Sequence, residues 1–365
     1  MTNKPLDGLR ILEFAGIGPT PFVGMILADF GADVVRIDRP GVLPQGVGHV
    51  TGRGRRSVAL DLKSEDGRST ALKLIREADA LFEGFRPGVM ERMGLGPEDA
   101  RTLNPKLVYG RMTGWGQSGP LAQTAGHDIN YIAIAGALGT MGRPGTPPAP
   151  PLNLVGDYAG GAMFLVSGML AALLSAQQTG RGQVIDAAMT DGTALLLSLT
   201  HDLKSFGLWR DERGTNLLDG SSPFYDTYAC ADDRYMAVGA IEPQFYAQLL
   251  HGLGVADDPL FANQLNTSAW PDMKTKIAEL FRTKTQAQWT DIFDGTDACV
   301  SPVLSVEEAM VHPHNTARDT YIDAAGKQQP AGAPRFDGAS PTATAAAPMP
   351  GQHTDEVLAE WLSGE

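Results

Sequence analysis

The chain has 365 residues, of which 43% are hydrophobic and 19% charged, enough for two domains that each bury a core. Its net charge of −13 at pH 7 argues against non-specific binding to nucleic acid or to an anionic membrane surface. With only Cys230 and Cys299 there is no disulfide framework, and no apolar stretch follows the basic residues of the N-terminus, so a reduced, cytoplasmic setting is expected.

In chain order, strand Leu9–Ala15, the loop Gly16–Pro21, helix Phe22–Phe30, a left-handed cap at Gly31 and strand Ala32–Asp38 make a βαβ opening. The alternation continues through strand Ser57–Asp61, helix Glu65–Glu77, strand Ala80–Phe85, short helices near Val89 and Pro97, and strand Leu107–Thr113. A long helix is expected over Tyr158–Gln178, closed by Gly180, then strand Gln183–Ala187 and a helical stretch Met189–Phe206. The apolar run Gly161–Ala176 falls short of a bilayer span and reads as a buried core helix. Short β runs at Phe224–Ala229, Tyr235–Ala240 and Val300–Leu304 flank amphipathic helices. The Pro/Ala-rich segment 331–350 reads as irregular, and Thr354 as the cap of a final helix.

The resulting fold class is α/β: a large domain over 1–187 and 331–365 with a Rossmann-like, doubly wound parallel sheet, plus a smaller α+β domain over 222–320. Residues 188–221 and 321–330 are expected to link them. Charge is uneven along this layout. From Arg36 to Arg111 there are 14 Lys/Arg against 10 Asp/Glu, while the other 289 residues hold 15 basic and 32 acidic ones. Such an island suits a small polyanionic ligand, and it equally suits solvated helix faces with i, i+4 pairs.

The Gly16-x-Gly18 turn, with Asp38 ending the next strand, imitates a dinucleotide fingerprint. However, the third glycine is missing, and Pro19 and Pro21 remove donors that a pyrophosphate needs. The turn is expected to shape a pocket wall instead. His312-Pro313-His314 lacks the companions of a metal site and reads as a surface loop. No G-x-S-x-G, P-loop, HExxH or CxxC motif occurs, so the usual signals of serine hydrolases, nucleotide hydrolases and zinc enzymes are missing. His127, in Ala125-Gly126-His127-Asp128-Ile129-Asn130-Tyr131, and Asp157, in Asn153-Leu154-Val155-Gly156-Asp157-Tyr158, are the remaining candidates. Alone, the first reads as a structural histidine and the second as an N-cap. At a helix start, though, Asp157 has free N–H groups and the positive helix end nearby, a setting able to hold a developing oxyanion.

Several segments in order carry a resemblance: Arg53 to Lys63, Glu83-Gly84-Phe85-Arg86-Pro87-Gly88, Gly114-Trp115-Gly116-Gln117-Ser118-Gly119-Pro120, Ala125 to Asp128, Asp186 to Gly192, and Pro350 to Thr354. Together they resemble the α-methylacyl-CoA racemase family, a branch of the class III CoA-transferase superfamily, essentially end to end. In the transferase branch an aspartate matching Asp157 resembles a nucleophile, and the position of His127 is usually aromatic. A histidine there supplies the second proton carrier that inversion needs.

What the resemblance implies is a cofactor-free isomerase of lipid and fatty acid metabolism, inverting the α-carbon of 2-methylacyl-CoA thioesters. His127 and Asp157 act as acid and base on opposite faces of an enolate, and CoA is part of the substrate. Asp157 would need a pKa raised from its usual value near 3.9 to hold a proton, while His, near 6.5, can be neutral. Glu242, in Ile241-Glu242-Pro243, orients His127 and arrives from the second subunit of an interlocked homodimer. Arg39, Lys63, Arg86 and Arg92 are the expected phosphate contacts. Ala59, Leu62, Gly84, Phe85, Met112, Asp128 and Tyr131 line the CoA path, and Asn153 and Tyr225 frame Asp157. Met112, Met163 and Met189 suit an adaptable apolar surface for an acyl chain, and core filling suits such methionines equally well. No metal, membrane or nucleic-acid partner is expected. The closing Leu362-Ser363-Gly364-Glu365 is not a peroxisomal S-K-L signal. The rival readings are CoA transfer through an Asp157 nucleophile and a catalytically silent CoA-binding or dimeric scaffold.

Overall fold

A computed structural model of the chain describes residues 4–41, 48–324 and 326–363. Residues 1–3 and 364–365, which bear on the leader and S-K-L expectations, lie outside the described residues. Six strands, β1 (Arg10–Phe14), β2 (Asp33–Asp38), β3 (Arg56–Ala59), β4 (Ala80–Glu83), β5 (Val108–Thr113) and β6 (Val184–Ala188), form one parallel sheet in the order β3-β2-β1-β4-β5-β6. The strand order reverses between β1 and β4, the point at which doubly wound sheets open a crevice. Register pairs Ile11 with Val34 and Ala80, and Leu12 with Val35 and Leu81.

Because side chains alternate along a strand, these residues divide between two cores. Ile11, Val34, Ala80, Phe82 and Val108 join one, and Leu12, Val35, Leu81 and Tyr109 the other. Helices α1 (Pro19–Asp29) and, after α2 (Glu65–Glu77) and α3 (Asp128–Ile134), α4 (Met163–Thr179) fill the first core. Helix α2 and the last helix, Thr354–Trp361, fill the second. Burial on both faces explains why Ile11-Leu12, Val34-Val35 and Ala80-Leu81-Phe82 are apolar at consecutive positions.

Helix α2 has the expected bounds: Ser64 caps it, its Oγ accepting the Gly67 N–H at 3.0 Å. Helix α1 begins at Pro19, three residues before the expected start, because prolines at its first and third positions lack only N–H groups that have no intrahelical partner anyway. Thr354 is not a cap but the first residue of its helix. Its Oγ1 donates to Gly351 O and accepts the Ala59 N–H.

The long helix also differs. Its helical turns begin at Leu154 and run as a π-helix through Ala162 before α4, so Asp157 lies inside the first turn rather than ahead of it. The whole stretch, Leu154–Thr179, has 26 residues and is apolar enough to cross a bilayer by length and composition. Leu165, Val166, Met169, Ala172, Leu173 and Ala176 are nonetheless buried against the sheet, as in a core helix. The expected helix Met189–Phe206 breaks at Leu197, leaving α5 (Met189–Leu196) and a second helix, Ser198–Ser205. A Cβ on Gly192 of α5 would collide with Gly160 O, so glycine permits the two backbones to touch where the π-helix forms.

The basic island is in part internal. Arg36 pairs with Asp38 at 2.9 Å, Arg53 with Asp29 at 2.6 Å and Arg55 with Glu13 at 2.5 Å, all with side chains at most 3% exposed. Arg56 engages Asp33, Glu356 and Glu360, and Arg111 engages Glu83 and Glu91. The local surplus of positive charge therefore serves the fold at these five positions rather than a polyanion.

The chain divides into two compact units, residues 1–137, 151–197 and 314–365 in one, and 138–150 with 198–313 in the other. The expected bounds differ: 138–150 leaves the large unit, 314–330 joins it, and the expected linker 188–221 splits after Leu197. In the second unit an antiparallel sheet of β7 (Tyr225–Ala229), β8 (Tyr235–Gly239) and β9 (Val300–Pro302) packs with helices Pro243–Leu253, Trp270–Phe281 and Gln286–Phe293 around Tyr246, Ile277, Phe281 and Trp289.

Candidate active site

At the C-terminal ends of β1, β4 and β5 the first unit encloses a cavity of about 390 Å³. Ile17, Gly18, Pro19 and Thr20 form one wall, Gly84, Phe85, Arg86 and Pro87 a second, and Gly114, Trp115, Gly126, His127 and Tyr131 a third. Asp157, Met112 and Met189 line it as well. The first wall is the N-terminal turn that mimics a nucleotide fingerprint, and Gly18 takes φ +70° there, with its Cβ position 3.4 Å from Asp157 Oδ2. A side chain at Gly18 would be strained by that backbone conformation.

His127 caps α3 with extended backbone, and its N–H donates to Asn130 Oδ1 at 3.0 Å. Its side chain is exposed in this chain. Tyr131, one turn into α3, donates its hydroxyl to Gly126 O and meets Trp115 edge-on at 4.8 Å between ring centroids. Gly114 has to be glycine, since any Cβ there would run into the Tyr131 ring.

Asp157 is half-buried, and burial pushes its carboxyl up to about 6. Asp128 adds to that rise, while Asn153, by a side-chain hydrogen bond, and His127 oppose it. The free N–H expected at Asp157 is taken: it donates to Asp128 Oδ2 at 2.7 Å. Glu83, buried at the end of β4, accepts the Phe85 N–H at 2.7 Å and the Arg111 Nε–H at 3.1 Å, so it sets the course of the Gly84-Phe85-Arg86 wall. Burial lifts the Glu83 carboxyl to about 7 against the pull of Arg111.

Thus His127, Asp157, Gly84, Phe85, Arg86, Met112 and Tyr131, all singled out from sequence, share one cavity, and Asp128 lies behind it. Arg39, Lys63 and Arg92 are exposed and do not line it. Leu62 packs on the far core, the Ala59 N–H is bonded to Thr354, and Met163 is 46% exposed outside the lining. Glu242, the cap of helix Pro243–Leu253, and Tyr225 of β7 belong to the second unit. Sequence reading passed over Trp115 as a lining residue. Trp115 stood inside a quoted motif, and a tryptophan among four glycines and prolines was the available signal. Among the described residues, no cluster of three or more His, Cys, Asp or Glu is placed to hold a metal ion.

A family model described as CoA-transferase family III matches residues 6–354. The chain is 49% identical to the alpha-methylacyl-CoA racemase of Mus musculus over 359 residues, 98% of this chain and 93% of that one. It is 47% identical to the Homo sapiens protein of the same name over 358 residues, with the same coverage. A solved CAIB/BAIF family protein from Brucella suis superposes with a TM-score of 0.84 at 26% identity, covering 99% of this chain and 100% of that one.

Proposed function

Since the chain belongs to CoA-transferase family III, we propose that it is a racemase that inverts the α-carbon of 2-methylacyl-CoA thioesters by moving one proton through an enolate. The observation that carries this reading is a histidine and a carboxyl in one cavity, the carboxyl raised to about 6 so that it can hold a proton near neutral pH. His127 takes the α-proton from one epimer while protonated Asp157 delivers one to the opposite face. For the other epimer the roles exchange. The thioester carbonyl delocalises the carbanion, so the two side chains suffice and no cofactor is required.

Arg86, exposed at the rim, is the first candidate for a CoA phosphate, with Arg39, Lys63 and Arg92 as outer contacts. Gly84, Phe85, Met112 and Tyr131 line the path of the thioester arm. Replacing Arg86 by Ala is expected to raise KM for the acyl-CoA roughly tenfold with little change in kcat, the worth of one charge-assisted contact. Steady-state kinetics check this.

Glu242 completes the site from the second subunit of an interlocked homodimer, where it accepts a hydrogen bond from His127. The exposed apolar side chains Leu199, Phe206 and Leu208, within ten residues of one another in the second unit, support such an association, since water is a poor neighbour for them.

The test is incubation of the purified protein with (R)- or (S)-2-methylacyl-CoA in deuterium oxide. Inversion with α-deuteration is the expected result from either epimer, and no exchange across varied acyl groups would end the racemase reading. A second reading, CoA transfer with Asp157 as nucleophile, is favoured by the family description. It predicts instead a need for an acceptor carboxylate and an acyl-enzyme trapped by hydroxylamine.

A further inference from the structure

We propose that Asp128 is a positioning residue for Asp157: its buried side chain clasps the Asp157 backbone and biases the neighbouring carboxyl toward the form that carries a proton. This rests on the reading of Asp157 as a proton carrier. Asp128 is the first residue of α3 and only 7% exposed. Its Oδ2 accepts the Asp157 N–H at 2.7 Å, tying α3 to the first turn of the π-helix. Its Oδ1 is fully buried and has no hydrogen-bond partner among the described residues. A Cβ on Gly156 would stand 2.6 Å from Asp128 Oδ2, so the chain leaves out a side chain where the carboxylate enters.

A buried carboxylate with one oxygen bonded and one bare keeps most of its charge unscreened. That carboxylate holds the Asp157 N–H and acts on the Asp157 carboxyl, and two like charges close together favour a proton on one of them. Around Asp157, the titratable groups that act on it are Asp128 and His127, and the Tyr131 phenol also faces it, itself under the influence of Arg86. The residues of α1 and α5 that line the same cavity, Pro19, Thr20 and Met189, carry no charge.

The decisive variant is Asp128→Asn, which keeps an oxygen to accept the Asp157 N–H and removes the charge. The acid limb of the kcat/KM profile, which reports the free enzyme, is expected to move to lower pH by about 1 unit. Both epimers should shift together, because His127 and Asp157 hold a single shared proton in either direction. Asp128→Ala, which also removes the acceptor, is expected to show the same displacement with a further loss of kcat. An acid limb that stays in place in both variants overturns the proposal.

The second measurement needs no turnover: a carbon-13 titration of the Asp157 carboxyl in full-length protein, assigned with Asp157→Asn. A lower midpoint in Asp128→Asn is expected, and an unchanged midpoint overturns the proposal even if racemisation is established. Should the wild-type protein fail to racemise, this titration alone decides the role of Asp128.

Discussion

Replacing His127 by Ala, or Asp157 by Asn, is expected to lower racemisation by at least about 10²-fold, the ordinary contribution of one general acid or base. The loss should not reflect unfolding. The His127 side chain is exposed, and alanine keeps the backbone N–H that donates to Asn130 Oδ1 at the start of α3. Asn at 157 keeps shape and the hydrogen bond from its own N–H to Asp128. Exchange without inversion is the informative outcome: each variant retains one proton carrier, so each should still wash deuterium into the epimer whose α-hydrogen faces the surviving group. Asp157→Asn that exchanges one epimer and His127→Ala that exchanges the other would establish two carriers on two faces. Near-normal rates in both would show that other residues do the chemistry. If Asp157 is instead a nucleophile, His127→Ala should be mild and Asp157→Asn complete.

Breaking the Arg55–Glu13 pair is expected to cost about 3–5 kcal/mol of folding stability, because both side chains are at 0% exposure and either one left alone is an uncompensated buried charge. The two single variants should differ. Glu13 already has its carboxyl raised by burial, so in Arg55→Met it can take up a proton and become neutral. In Glu13→Leu the guanidinium has no such escape. Glu13→Leu should therefore lie at the upper end of the range and Arg55→Met at the lower. Arg55→Met should also recover stability as pH falls, since a carboxyl with a raised folded pKa binds its proton more readily in the native state than in the unfolded one. The double variant should cost less than the sum of the singles. Urea unfolding midpoints at pH 5 and pH 8 measure all of this. Equal losses in the singles, independent of pH, would show that the pair is better solvated than its burial implies.

These arginines show where sequence reading stops. Their sign and clustering were visible, but whether an arginine serves a ligand or a carboxylate depends on which strand lies beside it. Arg55 meets Glu13, 42 residues away, only once the sheet is assembled. The sheet itself was legible, because strands covered on both faces carry apolar residues at consecutive positions and the helices between them carry one apolar stripe. Helix α2 could be placed by its cap and its buried Ala71, Leu74 and Ile75. The π-helix could not. Its register depends on Gly160 meeting Gly192, a contact between backbones that leaves only glycines in the sequence. Among the site residues, His127, Asp157 and the Gly84-Phe85-Arg86 wall stood out by residue type and motif. Asp128 was expected along the CoA path, but nothing in the sequence foretold that its carboxylate is buried and holds the Asp157 N–H.

The edge strand β3 has an implication for how the chain is made. Its free edge is covered not by another strand but by a segment nearly 300 residues further on: the His353 N–H donates to Ser57 O, the Ser57 N–H to His353 Nδ1, and the Gly351 N–H to Ser57 Oγ. Ala343 likewise donates its N–H to Asp29 Oδ1. During synthesis, residues 198–313 leave the ribosome complete, while the unit that begins the chain still waits for its closing segment. Until residues 351–354 emerge, β3 presents an open row of donors and acceptors to any neighbouring strand. The ribosome therefore exposes this edge for most of the translation time, a window in which a chaperone has something to cover.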